Sequence, residues 1–100
     1  MIPGSSFLCV AVHVTSGVTL QCYSGPEVLL AGVRTAATTE ALRIRQRASL
    51  GRIVLGRPLR CTVQGSRGAL TIARCTVNGQ DVAAAQVATG FAEWVPGSVN

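Results

Sequence analysis

The chain has 100 residues, 48% of them apolar and 13% charged, and its nine basic residues, all arginine, outnumber four acids to give a net charge of +5. That balance excludes a disordered chain and a second domain, and no apolar run reaches the ~20 residues of a membrane span. An arginine-only basic set is what GC-rich coding yields; it also suits a surface that meets phosphate or carboxylate through the planar guanidinium fork.

Met1 to Ser6 is a short polar lead. Phe7 to Val14 reads as a strand, with Val10, Val12 and Val14 on one face and Cys9, Ala11 and His13 on the other. Both faces are apolar, which predicts cover on both sides. Ser16-Gly17 turns the chain into a partner strand, Val18 to Tyr23. Ser24-Gly25-Pro26 turns it again into a third strand, Glu27 to Val33, where Gly32 marks a bulge or a close approach.

From Thr38 the period becomes helical. Thr38 or Thr39 is the N-cap, and Glu40 suits the positive end of the helix dipole. Arg43 and Arg47 share one face, and Ala41, Ile44 and Ala48 share another. The helix ends near Gly51 or runs on to Gly56, and Gly56-Arg57-Pro58 stops it. Leu59 to Gln64 and Ala69 to Val77 read as two strands around Gly65-Ser66-Arg67-Gly68. After an Asn78-Gly79 turn, Asp81 caps a last helix from Val82 to about Ala92, with Val82, Ala85, Val87 and Phe91 apolar. The order β-β-β-α-β-β-α predicts a mainly β fold: a small five-stranded barrel of the OB type with two helices. It forms one domain over 1–100 with its core from about residue 7 to 94.

Cys9, Cys22, Cys61 and Cys75 all fall in apolar strand patterns, and no C-x-x-C spacing suggests zinc. The favoured reading is buried free thiols acting as small hydrophobes. Cystines Cys9–Cys22 and Cys61–Cys75 are the alternative, since each pair lies on successive strands; they need an oxidising compartment. His13 sits mid-strand with no acid near it in sequence and reads as structural. Ser16 reads as a turn residue, because nothing around it resembles a nucleophile elbow. Glu27 and Glu40 are too isolated in sequence to form an acid pair. The N-terminus has no basic lead, and FLCVAV is shorter than a signal-peptide core, so any targeting peptide is expected to have been removed already or never to have existed. The compartment, organellar or cytoplasmic, is not legible.

Four stretches, in order, carry a family resemblance. VHVTSGVTLQC (Val12 to Cys22) resembles V-x-x-V-x-D-G-D-T-L, and VLLAGVRTAA (Val28 to Ala37) resembles V-R-L-x-G-I-D-A-P-E. LGRPLRC (Leu55 to Cys61) resembles the L-x-G-x-x-V stretch that leaves the first helix. TIARCTVNGQDVAAAQVATGFAEW (Thr71 to Trp94) resembles a final strand, tight turn, Asp-Val helix start and L-V-x-x-G-L-A ending. Together they are similar to the staphylococcal-nuclease-like (thermonuclease) domain, over about Phe7 to Trp94.

That resemblance implies calcium-assisted hydrolysis of a phosphodiester. Carboxylates from the turn and third strand hold the metal, a following Glu acts as base, and two arginines stabilise charge on the phosphate. Carried over position by position, that machinery is replaced. The turn acids become Ser16 and Val18, the third-strand Arg becomes Leu29, the following Asp becomes Arg34, and the Glu becomes Ala37. The second Arg becomes Leu70, with Arg67 three positions off that register. Losing one charge-stabilising group alone costs about a hundredfold in rate. The loop from Thr35 to Thr39 is also short for the family. The resemblance therefore implies no catalytic residues, no metal and no cofactor.

Three functions remain. The first is an inactive nuclease-like barrel that binds protein partners as an accessory or structural subunit of a larger assembly. The second is a nucleic-acid-binding module using Arg34, Arg43, Arg45, Arg47, Arg57, Arg60 and Arg67, with Trp94. Only Phe7, Tyr23, Phe91 and Trp94 are aromatic, which is sparse for base stacking. The third is a calcium-dependent nuclease with relocated ligands.

Overall fold

The computed structural model describes residues 2–36 and 39–96. β1 (Ser6–Val14) turns into β2 (Thr19–Cys22) and then β3 (Glu27–Leu30). At Ala31-Gly32 the chain leaves this line for the two-residue β4 (Val33–Arg34), so the third strand predicted through Val33 is broken in two. α1 (Glu40–Val54) follows, then β5 (Pro58–Arg67), β6 (Leu70–Val77), β7 (Gln80–Asp81), α2 (Val82–Ala88) and β8 (Glu93–Trp94).

β1 pairs antiparallel with β2 and with β5, β2 with β3, and β5 with β6. β3 and β6 then pair in parallel, Val28 opposite Thr71 and Leu30 opposite Ala73, which closes a mixed five-stranded barrel. β7 extends β6 at the edge, and β4 pairs with β8 as a separate ribbon. This is a small OB-type barrel, mainly β with two helices. Closure gives each of the five ring strands a neighbour on both sides. Leu20, Val28, Leu30 and Leu59 fill the interior with Ala73 and both cysteine pairs, and Leu50 and Val54 of α1 and Val82 of α2 plug it.

All four cysteines are oxidised, against the expectation of free thiols. Cys9 is bonded to Cys22 and Cys61 to Cys75, and no thiol is free. The favoured thiol reading fails because the β1–β2 and β5–β6 hairpins set each pair on adjacent strands with both side chains inward; Cys61 lies directly opposite Cys75. Such bonds persist in oxidising surroundings.

β1 is covered on one face only. Cys9 and Ala11 point inward, while Leu8, Val10 and Val12 are exposed. A bulge between Ala11 and His13 then shifts the phase: Val14 turns inward opposite Leu20, and His13 outward opposite Gln21. The predicted shared face of Val10, Val12 and Val14 is split by that extra residue.

α1 is capped by Thr39, whose hydroxyl accepts from the Leu42 N–H at 3.1 Å, and Thr38 lies outside the described residues. Glu40 in its first turn and Arg52 in its last complement the dipole. The helix passes through Gly51 to Val54. Its buried face is Gln46, Ser49, Leu50 and Val54, with Ile53 partly buried, whereas Ala41, Ile44 and Ala48 face solvent. The predicted apolar face is the wrong one, because the barrel receives a face with two polar side chains in it.

The β5–β6 hairpin is tighter than predicted. Arg67 pairs with Leu70 across Gly68-Ala69, and a bulge between Val63 and Gly65 absorbs the extra residue. The Asn78-Gly79 turn stands as read, with φ +51° and +79°, which suits Asn and Gly. α2 stops at Ala88, before Phe91. Asp81 stands at its N-cap but makes no side-chain cap bond; its Oδ2 lies 3.6 Å from an Arg74 guanidinium nitrogen. No helix among the described residues is long and apolar enough to cross a membrane.

Candidate functional site

The Ser16-Gly17 turn sits between two grooves. A single side chain fixes it there. Gln86, fully buried in α2, donates through Nε2 to the Gly17 carbonyl at 3.0 Å and the Gln46 carbonyl at 3.2 Å. Its Oε1 accepts from the Ser49 hydroxyl at 2.9 Å. Hairpin, α1 and α2 are thereby joined through one amide. The approach is so close that a Cβ on Gly17 would lie 2.7 Å from Thr35 Cγ2 and 2.9 Å from Gln46 Cβ. Gly17 is therefore needed for this close contact, its φ lying outside the left-handed region. Around it the Ser16 hydroxyl accepts from the Val18 N–H and from the Thr19 hydroxyl, so the turn is held by its own hydroxyls.

The first groove, of about 450 Å³, gathers Val18, Leu29, Arg34 and Arg67 with Leu30 and Ile72. Three of the positions where the family resemblance places machinery thus share one cleft. Two are apolar, and the third, Arg34, donates from Nε to Glu93 Oε1 at 2.8 Å. Arg67 reaches the same groove because the tight hairpin puts it at the last position of β5. Leu70 lies directly opposite Arg67 in the strand pair. Ala37 lies outside the described residues.

The second groove, about 410 Å³, lies on the other side of the turn. Ser16 lines it with Thr35, Arg43, Gln46 and Arg47. Arg43 is engaged by Glu40 at 3.3 Å. The remaining predicted arginines are dispersed. Arg45 stacks over the Phe91 ring at 5.6 Å from its centroid, which occupies that face of the aromatic. Arg57 and Arg60 belong to the outer wall beside β1, Arg60 opposite Leu8. Trp94 is in β8, paired with Val33 and partly exposed.

The four carboxylates are engaged at four separate places. Glu27 Oε2 accepts from the Thr15 hydroxyl at 2.9 Å, and Glu40, Asp81 and Glu93 each pair with a different arginine. Among the described residues no three His, Cys, Asp or Glu side chains come together. A hard cation wants several oxygen ligands, and the side chains of the first groove are mostly apolar, Val18, Leu29 and Ile72 among them. A phosphate there would meet Arg67 and an Arg34 already neutralised by Glu93.

Sequence reasoning missed the outer wall of β1. Leu8 is 68% exposed, Val10 42% and Val12 51%, and Tyr23, whose N–H donates to the Val10 carbonyl at 2.8 Å, is 72% exposed. The signal was present in the double-sided apolar pattern of β1, which is as consistent with an unpartnered face as with a covered one. No protein-family model matches this chain, and no curated protein matches it either.

Proposed function

We propose that this chain is a catalytically inactive, nuclease-like barrel that binds protein as an accessory or structural subunit of a larger assembly. The observation that carries this reading is the stripe of Leu8, Val10, Val12 and Tyr23 on a sheet face that has a closed barrel behind it. A contiguous exposed apolar patch on a small domain marks an interaction surface. The replaced chemistry supports it: the cleft contains Val18, Leu29 and Ile72, and each of the four acids is already engaged by its own partner, Glu93 by the cleft's Arg34.

A second reading, nucleic-acid binding, is favoured by Arg34 and Arg67 in one groove and Arg43 and Arg47 in the other. It is weakened by its aromatics: Arg45 covers Phe91, and Tyr23 belongs to the apolar stripe. One digestion series separates the readings. Incubated with single-stranded DNA or RNA and calcium, the protein should release no product above buffer, and Arg34→Ala should change nothing. Calcium-dependent cleavage that Arg34→Ala abolishes overturns the proposal. Oligonucleotide affinity that falls steeply with salt transfers the assignment to the second reading.

A further inference from the structure

We propose that the outer wall of β1 docks an acidic amphipathic helix of a partner protein; this deepens the protein-binding reading and rests on it. The shape of the wall selects the kind of segment. β1 is hydrogen-bonded to β5 along Ser6–Val10 and to β2 along Ala11–Val14, so neither of its edges is free along the whole stripe for a strand to add. What it offers is a face. Leu8, Val10 and Val12 alternate along it, spanning ~13 Å at the strand rise. Tyr23 borders Val10 on the β2 side, and Pro58 lies opposite Val10 on the β5 side. A helix with apolar residues at i, i+4 and i+7 spans ~10.5 Å, about two turns, close enough to that length to lay one side chain near each.

Charge selects the sign. Arg60 lies directly opposite Leu8, and Arg57 precedes the Pro58 that faces Val10. Neither has an acid within ion-pair distance among the described residues. Farther along β5 and β6, Arg74 is taken by Asp81. The acid of the opposite end, Glu27, sits across from Gln21 and accepts from Thr15. The β5 flank of the stripe is therefore positive and uncompensated, and an acidic flank on the incoming helix meets two guanidinium groups there. A second copy of this chain would instead bring a net charge of +5 against +5. Four large side chains make a small interface, at the low end of the size range for protein pairs, where complementary charge sets selectivity and on-rate.

The probe is an amidated helical peptide of about 18 residues, with Leu at i, i+4 and i+7 and Glu along both flanks. Two controls accompany it, one with Lys for Glu and one with Ser for Leu. Each is titrated into the full chain and followed by amide NMR. The Glu peptide should shift the amides of Leu8, Val10, Val12 and Tyr23 and bind roughly tenfold more tightly than the Lys peptide, about 1.4 kcal/mol. Arg60→Glu should reverse that preference. Leu8→Asp, at an exposed position that leaves the spectrum of the barrel unchanged, should abolish binding. Equal binding of Glu and Lys peptides, or tighter binding of the Lys peptide, overturns the acidic partner and leaves the protein-binding reading intact. Shifts confined to Leu29 and Ile72, or silence toward all three peptides, overturn this surface. Displacement of the Glu peptide from the wall by a single-stranded oligonucleotide overturns both.

Discussion

Reducing both cystines should lower the unfolding free energy by about 6 kcal/mol, ~3 kcal/mol for each. Cys9–Cys22 spans 13 positions of sequence and Cys61–Cys75 spans 14, so each closes a loop near the length for which restricting the unfolded chain has that effect. A domain of this size has a total stability of roughly 5–15 kcal/mol. Losing about 6 kcal/mol leaves it at or beyond the edge of folding at 37 °C. The four cysteines are almost wholly buried, so a reductant reaches them only after the barrel opens. The comparison is therefore urea unfolding of the oxidised chain against chain reduced in denaturant and kept reduced. A much lower midpoint, or no transition at all for the reduced chain, is expected. Coincident midpoints would show that the barrel stands without its cross-links.

Gln86→Leu should cost about 2–4 kcal/mol, although leucine fills nearly the same volume. The amide donates to two backbone carbonyls and accepts one hydroxyl, all inside the protein. Its loss leaves the Gly17 carbonyl buried beside α2 with nothing in the side chain to replace the donor. Ser49 can still turn its hydroxyl to Thr89 Oγ1 at 3.4 Å, which limits that part of the cost. Orphaning a buried acceptor costs more than the bond contributed net, so the effect falls on the hairpin turn. Thermal or urea unfolding reads the total. Amide exchange reads its place: Val18 and Thr19 should lose protection first. A change below about 0.5 kcal/mol, the size expected of a surface substitution, would mean that the turn is held by packing alone.

The barrel was legible where local chemistry decides local structure. The Ser16-Gly17 and Asn78-Gly79 turns, the period-two runs around them and the Thr39 cap all follow from residue types a few positions apart. So does the order of strands and helices that closes the five-stranded ring. What failed depended on distant partners. The face of α1 was misread because its buried stripe includes the polar Gln46 and Ser49, and the Ser49 hydroxyl is satisfied by Gln86 and Thr89, 37 and 40 positions away. Gln86 itself, in an alanine-rich helix, gives no periodic signal, and its contact with Gly17 spans 69 positions. The phase of β1 was lost at a bulge, which adds one residue without marking its composition. Arg67 reads as three positions off the register of the second arginine, yet it lines the first groove, because the tight turn at Gly68-Ala69 and the bulge after Val63 are not written in the spacing. The cysteines were within reach, since adjacent strands were already paired, but an apolar pattern suits a thiol and a cystine equally.

Ser16 and Val18, standing where the resemblance expects acids, and the exposed wall of β1 support one proposal: the barrel is used to hold another protein. Native mass spectrometry of the chain, isolated gently from its source, tests that most directly. The expected spectrum shows the chain in a stoichiometric complex with a protein partner, and the Leu8→Asp variant, folded as before, appears without it. A free monomer from the unaltered source, or a complex that Leu8→Asp leaves intact, would contradict the claim.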